Sequence, residues 1–451
     1  MKIEQFEDKD LSHYSYAILS EGEIVLIDPS RDVAPYLDYA ERNEAKIVGV
    51  IETHPHADFV SGHLELHEKQ GALIYCSKLV AAAYPHIPFD DGDFLAFGKI
   101  RLKALNTPGH SPDSISIVLE DNGLEKAVFT GDTLFIGDCG RPDLRESAGN
   151  ITMEKVKLAG LMYHSLREKL MVLADDVLVY PAHGAGSLCG KALSNANYST
   201  IGAEKISNWS LQVMTEERFT NLLMEDQPFV PKYFPYDVEL NKNGAPSFSS
   251  SIEEVNFILE RVNKSLLDPK VVVIDTRPAS QFKKGHLPMS INLMADGKFE
   301  TWLGSLISPG ERFYLVAENQ ALLEKSVERS AKIGYEPFIR SAFLIENGSM
   351  KMEEIDLDQF DDRRTSYTII DVRSRAEAKE KPVFDHAVNI PLPELRERLD
   401  EIPTGKPIIV HCAGGYRSAA ASSIIAERAS DSVFDMGDQI KNFIGEKQGQ
   451  F

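Results

Sequence analysis

The sequence predicts a multidomain α/β protein. Over residues 1–185, short apolar runs alternate with turns and helical stretches. Beyond about residue 250, one strand–helix–strand pattern occurs twice in degenerate form. A chain of 451 residues is also too long for one ordinary core, which argues for about three domains.

The N-terminal strand-like runs are residues 23–29, 46–54, 72–76, 100–110, 114–119 and 127–135, with helices expected over 33–43 and 61–70. Their apolar, β-branched character and flanking turn residues support strands. A mostly helical, irregular stretch follows to about 245, and residues 241–251 read as a linker. In the repeat, residues 271–293 match 367–392: an apolar strand ending in Asp-x-Arg (Asp275 and Arg277; Asp371 and Arg373), a helix, a His (His286; His386), and a short strand carrying Asn292 or Asn389. Residues 312–319 parallel 406–413. The resulting division is 1–245, 246–355 and 356–451.

Apolar residues make up 43% and charged residues 26% of the chain, as in soluble globular proteins. The net charge of −21 repels nucleic acid and anionic membranes, and neither is expected as a partner. The acidic first residues lack a long apolar run, so no secretory signal is expected, and no run reaches the roughly 18 apolar residues of a membrane span. Cys76, Cys139, Cys189 and Cys412 form no CxxC pair. Reduced thiols and a cytoplasmic location are expected.

Two stretches carry chemistry. In the first, "THPHADF" (53–59), "TPGHSP" (107–112), "FTGDTLF" (129–135) and "YPAHG" (180–184) each follow a strand-like run and place His or Asp among small turn residues. Imidazole with carboxylate suits first-row metals. In the second, an apolar strand delivers Cys412 into Ala413, Gly414, Gly415, Tyr416 and Arg417, before a helix expected to start near Ser418. Inward backbone N–H groups and a helix N-terminus favour a thiolate or persulfide there, and Arg417 offers a guanidinium to anionic sulfur.

The first set resembles the metallo-β-lactamase superfamily, whose hydrolases often hold two zinc ions. Phe59 stands where that pattern has a second-site His. With Gly140-Arg141-Pro142-Asp143, the stretch is similar to the persulfide dioxygenase branch. The Cys412 loop resembles the rhodanese sulfurtransferases, although "FDHAVNI" departs from their Gly-His-Ile segment. The middle unit has Ala317-Glu318-Asn319 where the thiol would fall. It resembles a rhodanese without its cysteine, kept as a spacer, a docking surface or a dimer contact. The resemblance thus implies an αββα metallo-β-lactamase-like sandwich followed by two rhodanese-like α/β domains.

It implies further that one Fe(II) per chain, with zinc also able to occupy the site on isolation, is held by His54, His110 and Asp132. His56, Asp58 and His183 would orient ligands and bound water. Arg141 would hold an anionic substrate, stabilise Asp132 or form a structural salt bridge. The implied substrates and partners are a low-molecular-weight thiol persulfide, O₂ and sulfite, in a homo-oligomer. Cys412 would pass sulfane sulfur on as thiosulfate. Two other functions fit: a glyoxalase-II-like binuclear zinc thioester hydrolase fused to a rhodanese, or a persulfide-sensing binding protein. His63 and His67 are expected on a helix surface, and Cys139 as an inert thiol.

Overall fold

The computed structural model describes residues 1–144, 154–191, 193–258, 267–345 and 347–444. It divides into two compact units, residues 1–251 with 332–334, and residues 252–331 with 335–451. Among the described residues no helix is long and apolar enough to cross a membrane.

The first unit contains two six-stranded sheets. One runs Lys2–Asp8, His13–Ser20, Glu23–Ile27, Lys46–Ile51, Leu73–Cys76, Ile87–Pro88 in spatial order. The other runs Ser199–Thr200, Leu178–Pro181, Leu124–Gly131, Ile115–Asp121, Ile100–Asn106, Phe94–Phe97. Tyr16, Ile18, Val25 and Ile51 from the first sheet meet Leu102, Ile117, Leu119 and Phe129 from the second in one core. The outer face of the first sheet buries Ile24, Leu26 and Ile47 against Tyr36, Tyr39 and Leu66 of helices Ala34–Arg42 and His63–Gln70. On the second sheet, Val118, Val128 and Val179 pack against Ala159 and Met162 of helix Lys155–His164 and Phe219 of helix Glu216–Met224. Apolar side chains on both faces of each sheet thus produce the αββα sandwich that the family resemblance implies.

Lys2–Asp8 and His13–Ser20 are absent from the predicted strands, because their polar residues mask the apolar alternation. Residues 241–251 are not a free linker. Asn241 and Lys242 are buried at the end of helix Phe234–Asn243, and Phe248–Glu253 is helical. A polar, small-residue composition reads as linker even where, as at Asn241, the amide is buried and hydrogen-bonded.

The second unit holds two parallel sheets. The first runs Phe257–Ile258, Ile339–Leu344, Phe313–Ala317, Val272–Asp275, Ser290–Asn292; the second runs Val388–Asn389, Thr368–Asp371, Ile408–His411, Val433–Asp435. The repeat persists in detail. Asp275 registers with Asn292, and Asp371 with Asn389. Each Asn donates through Nδ2 to the carbonyls of its own Asp and Arg, at 2.9–3.1 Å. Each Arg grips its Asp through Nε and Nη2.

Candidate metal centre and thiol loop

Four strand ends of the sandwich converge on one buried site. His54 follows Lys46–Ile51, His110 follows Ile100–Asn106, Asp132 follows Leu124–Gly131, and His183 follows Leu178–Pro181. His54 Nε2 lies 3.9 Å and His110 Nε2 3.4 Å from Asp132 Oδ2. All three residues are at most 2% exposed, and their donor atoms lie within 4.8 Å of one another.

Hydrogen bonds set which nitrogen of each ring faces the site. Thr53 Oγ1 donates its one proton to Asp28 Oδ2 (2.8 Å), so it accepts from His54 Nδ1 (3.0 Å). His110 Nδ1–H donates to the Arg141 carbonyl at 2.9 Å, and His183 Nδ1–H to the Ser12 carbonyl at 3.1 Å. The Nε2 atoms therefore face the site, as in metal sites whose imidazoles are oriented by outer groups. Both Asp132 oxygens and His183 Nε2 are buried without a hydrogen-bond partner. Buried lone pairs facing a carboxylate in this way are unfavourable until a cation sits among them, so the donor set fits a bound metal ion.

His183 Nε2 lies 3.4 Å from Asp58 Oδ2 and 3.6 Å from Asp132 Oδ1, and His56, Asp58 and His183 form a second buried group able to hold an ion. Phe59 is fully buried, its ring 3.9 Å from that of His13 and 4.3 Å from that of His56. His56 Nε2 lies 3.2 Å from Asp28 Oδ1. Burial works against a charge on His56, yet Asp28, Glu52 and Asp132 lift it to about 9. Burial and the charge of Asp28 push Glu52 up.

Arg141 is almost fully buried and its guanidinium is spent on structure. Nε and Nη2 clasp Asp143, while Nη1 and Nη2 donate to the carbonyls of Leu188, Phe229 and Pro228. This is the salt-bridge alternative, and its contact with the triad runs through the Arg141 carbonyl on His110. Gly140 explains the neighbouring small residue: a Cβ there would stand 1.9 Å from the Asp132 carbonyl oxygen and 3.1 Å from His110 Cβ.

His63 is not on the surface. It is 1% exposed, its ring 4.5 Å from Tyr84 and Nδ1 3.6 Å from Glu52 Oε1, and burial with nearby His56 lowers it to about 3. The helical spacing gave no sign of this, because Glu52 and Tyr84, which enclose the ring, lie outside the helix. His67 is half-buried and donates from Nδ1 to the Ala72 carbonyl. Cys139 is buried, and burial with Asp138 beside it pushes its thiol up, as expected of an inert thiol.

In the second unit, strand Ile408–His411 carries Cys412 to the loop, and the helix begins at Tyr416, two residues before the expected start. Cys412 is 1% exposed; Ala413 and Gly414 are exposed. Gly415 N–H donates to Cys412 Sγ at 3.1 Å. Gly415 has φ 102°, and a Cβ there would lie 3.0 Å from the backbone of Gly437 and Asp438, so only glycine fits. Tyr416 Oη donates to the Met294 carbonyl of the thiol-less domain (2.8 Å). Arg417 is not free for substrate: both terminal nitrogens bind Glu377, at 2.7 and 2.8 Å. In the thiol-less domain Gln281 donates to Glu318.

Comparison with known proteins matches residues 8–183 to the metallo-beta-lactamase superfamily, and residues 259–348 and 356–445 to the rhodanese-like domain. The mitochondrial persulfide dioxygenase ETHE1 of Bos taurus is 32% identical over 48% of this chain and 77% of its own length. The chain belongs to the persulfide dioxygenase family. A hydroxyacylglutathione hydrolase of Francisella philomiragia is 31% identical over 40% of this chain and 65% of its own. A solved metallo-beta-lactamase of Staphylococcus aureus is similar over 76% of this chain and 98% of its own, with 31% identity and a TM-score of 0.67.

Four residues of this persulfide dioxygenase family member lie at the site without having been singled out from sequence. Asp28 and Glu52 meet His56; His13 stacks on Phe59; Cys189 joins Asp132 and His183 as a possible donor group. Asp28 carries a readable signal, since it closes an apolar strand as Asp132 does. Its φ of 49° is a strained value often found at functional sites.

Proposed function

We propose that this chain oxidises a low-molecular-weight thiol persulfide with O₂ at one Fe(II) held by His54, His110 and Asp132, releasing sulfite and the thiol, and that Cys412 transfers sulfane sulfur onward as thiosulfate. The observation that carries the first half is the buried triangle of two oriented imidazoles and a carboxylate. Two His and one carboxylate leave coordination positions open on iron. Bound iron would supply the redox chemistry that allows O₂ to react with sulfur. The terminal sulfur is the atom oxidised, O₂ the oxidant, and one water completes the oxygens of sulfite.

The chain's own groups do the rest. Thr53 and the Arg141 carbonyl hold the two imidazoles, while Phe59, fully buried, keeps that wall of the pocket dry. In the second unit the Gly415 N–H stabilises negative charge on Cys412 Sγ. Cys412 thiolate attacks the terminal sulfur of a thiol persulfide, the donor's S–S bond breaks and its thiol leaves, so Cys412 becomes a persulfide with no outside oxidant. The setting is cytoplasmic, consistent with reduced thiols, and the assembly is a homo-oligomer.

One observation favours a second reading, a two-zinc thioester hydrolase: His56, Asp58 and His183 still form an ion-sized group beside Asp132. Element-specific metal counting with an oxygen electrode separates the two. One iron per chain with oxygen uptake on a thiol persulfide, continuing well beyond one equivalent, is expected. Two metals per chain with hydrolysis and no oxygen uptake, from protein loaded with iron under reducing conditions, would sink the dioxygenase reading. Uptake that stops at one equivalent would leave a persulfide sensor.

A further inference from the structure

Arg417 is the one cation in the loop Cys412–Arg417, and it is already engaged. Its bidentate partner Glu377 is itself fixed. Glu377 is the third residue of helix Arg375–Glu380, where Ser374 caps its backbone N–H and its carboxylate accepts the Ser374 N–H at 2.9 Å. Burial opposes a charge on Glu377, but Arg417 prevails and holds it at about 2. The carboxylate is therefore ionised at any working pH. The same guanidinium also feels Cys412 and Asp371. The neighbouring Arg373 is spent on Asp371 and the Lys381 carbonyl. An oxyanion arriving at Cys412 thus meets a guanidinium that already carries its counter-charge. In the thiol-less domain the equivalent helix position is Gln281, and the carboxylate, Glu318, sits on the loop instead.

We propose that Glu377 sets the substrate selectivity of the transfer site. By neutralising Arg417 it keeps the hold on dianionic thiosulfate weak, so the product leaves and does not re-enter as a sulfur donor. This rests on Cys412 being the sulfur carrier. In the step concerned, the sulfur lone pair of sulfite attacks the terminal sulfur of the Cys412 persulfide. The S–S bond to Cys412 breaks, its electron pair returns to Cys412 as thiolate, and thiosulfate departs; no proton or outside oxidant is needed.

The test uses the full-length chain with Glu377→Gln and Glu377→Asp. Gln keeps the volume and can still accept the Ser374 N–H; Asp keeps the charge but is too short to hold both nitrogens. Transfer is assayed in reverse with thiosulfate as donor and cyanide as acceptor, and forward with a thiol persulfide and sulfite. For Glu377→Gln, KM for thiosulfate should fall about three- to tenfold with little change in kcat, and thiosulfate should inhibit the forward reaction at correspondingly lower concentration. Glu377→Asp should fall between Gln and wild type, and it carries the test alone if the Gln variant fails to fold. Oxygen uptake should not change. Folded variants with unaltered thiosulfate KM and inhibition overturn this assignment alone. Wild-type protein that transfers no sulfur to either acceptor overturns it together with the role of Cys412.

Discussion

Thr53 connects the strand-end Asp28 to the ligand His54. Asp28 accepts from the Thr53 backbone N–H (2.7 Å) and hydroxyl (2.8 Å), and the hydroxyl oxygen in turn accepts from His54 Nδ1. Thr53→Val keeps the shape and removes the link. Its metal affinity, measured by competition with a chelator, should fall about ten- to a hundredfold, the usual cost of losing an orienting partner; an unchanged affinity would show that packing alone orients His54. At this scale the six His and Asp positions of the site were legible because each ends an apolar run among small turn residues. Arg141 and Arg417 were legible as charges only. Their partners Asp143 and Glu377 decide what those charges do, and Glu377 is forty residues away in sequence. Glu52 and His13 gave no local contrast at all.

Helix Phe234–Asn243 secures the loop that carries His54 and His56. Asn241 Nδ2 donates to the carbonyls of His56 and Phe59, and Asn241 Oδ1 accepts from Ser61 N–H, each at 2.8 Å. Asn241→Ala leaves buried backbone groups without partners and should cost about 2–4 kcal/mol of stability, read by chemical denaturation. Loss of metal affinity should accompany it, because the loop is released along with the helix. Helices 33–43 and 61–70 were legible as the stretches between strand-like runs and appear as Ala34–Arg42 and His63–Gln70. The Asn241 clamp was not, because a polar residue in a stretch of Asn, Lys, Gly and Ser looks solvated until its neighbours in space are known.

At the scale of the whole chain, the metal centre lies in the first compact unit and the thiol loop in the second. Cys412→Ser should therefore leave oxygen uptake close to wild type and abolish thiosulfate formation; parallel loss of both would contradict separate sites. The duplicated α/β unit was legible because Asp-x-Arg and the paired Asn recur, and both copies use them for the same bonds. The bracing of Tyr416 by the Met294 carbonyl was invisible, since a backbone acceptor leaves no trace in side-chain identity. The oriented imidazoles carry one more consequence. His54, His110 and His183 have their Nδ1 protons committed to Thr53 and to two backbone carbonyls. Such a preformed chelate has little power to refuse an ion of the wrong kind. Intrinsic preference ranks copper and zinc above iron, so if the centre works with iron, as proposed, the supply of metal around the folding chain has to favour it, and excess zinc would compete for the same oriented ligands.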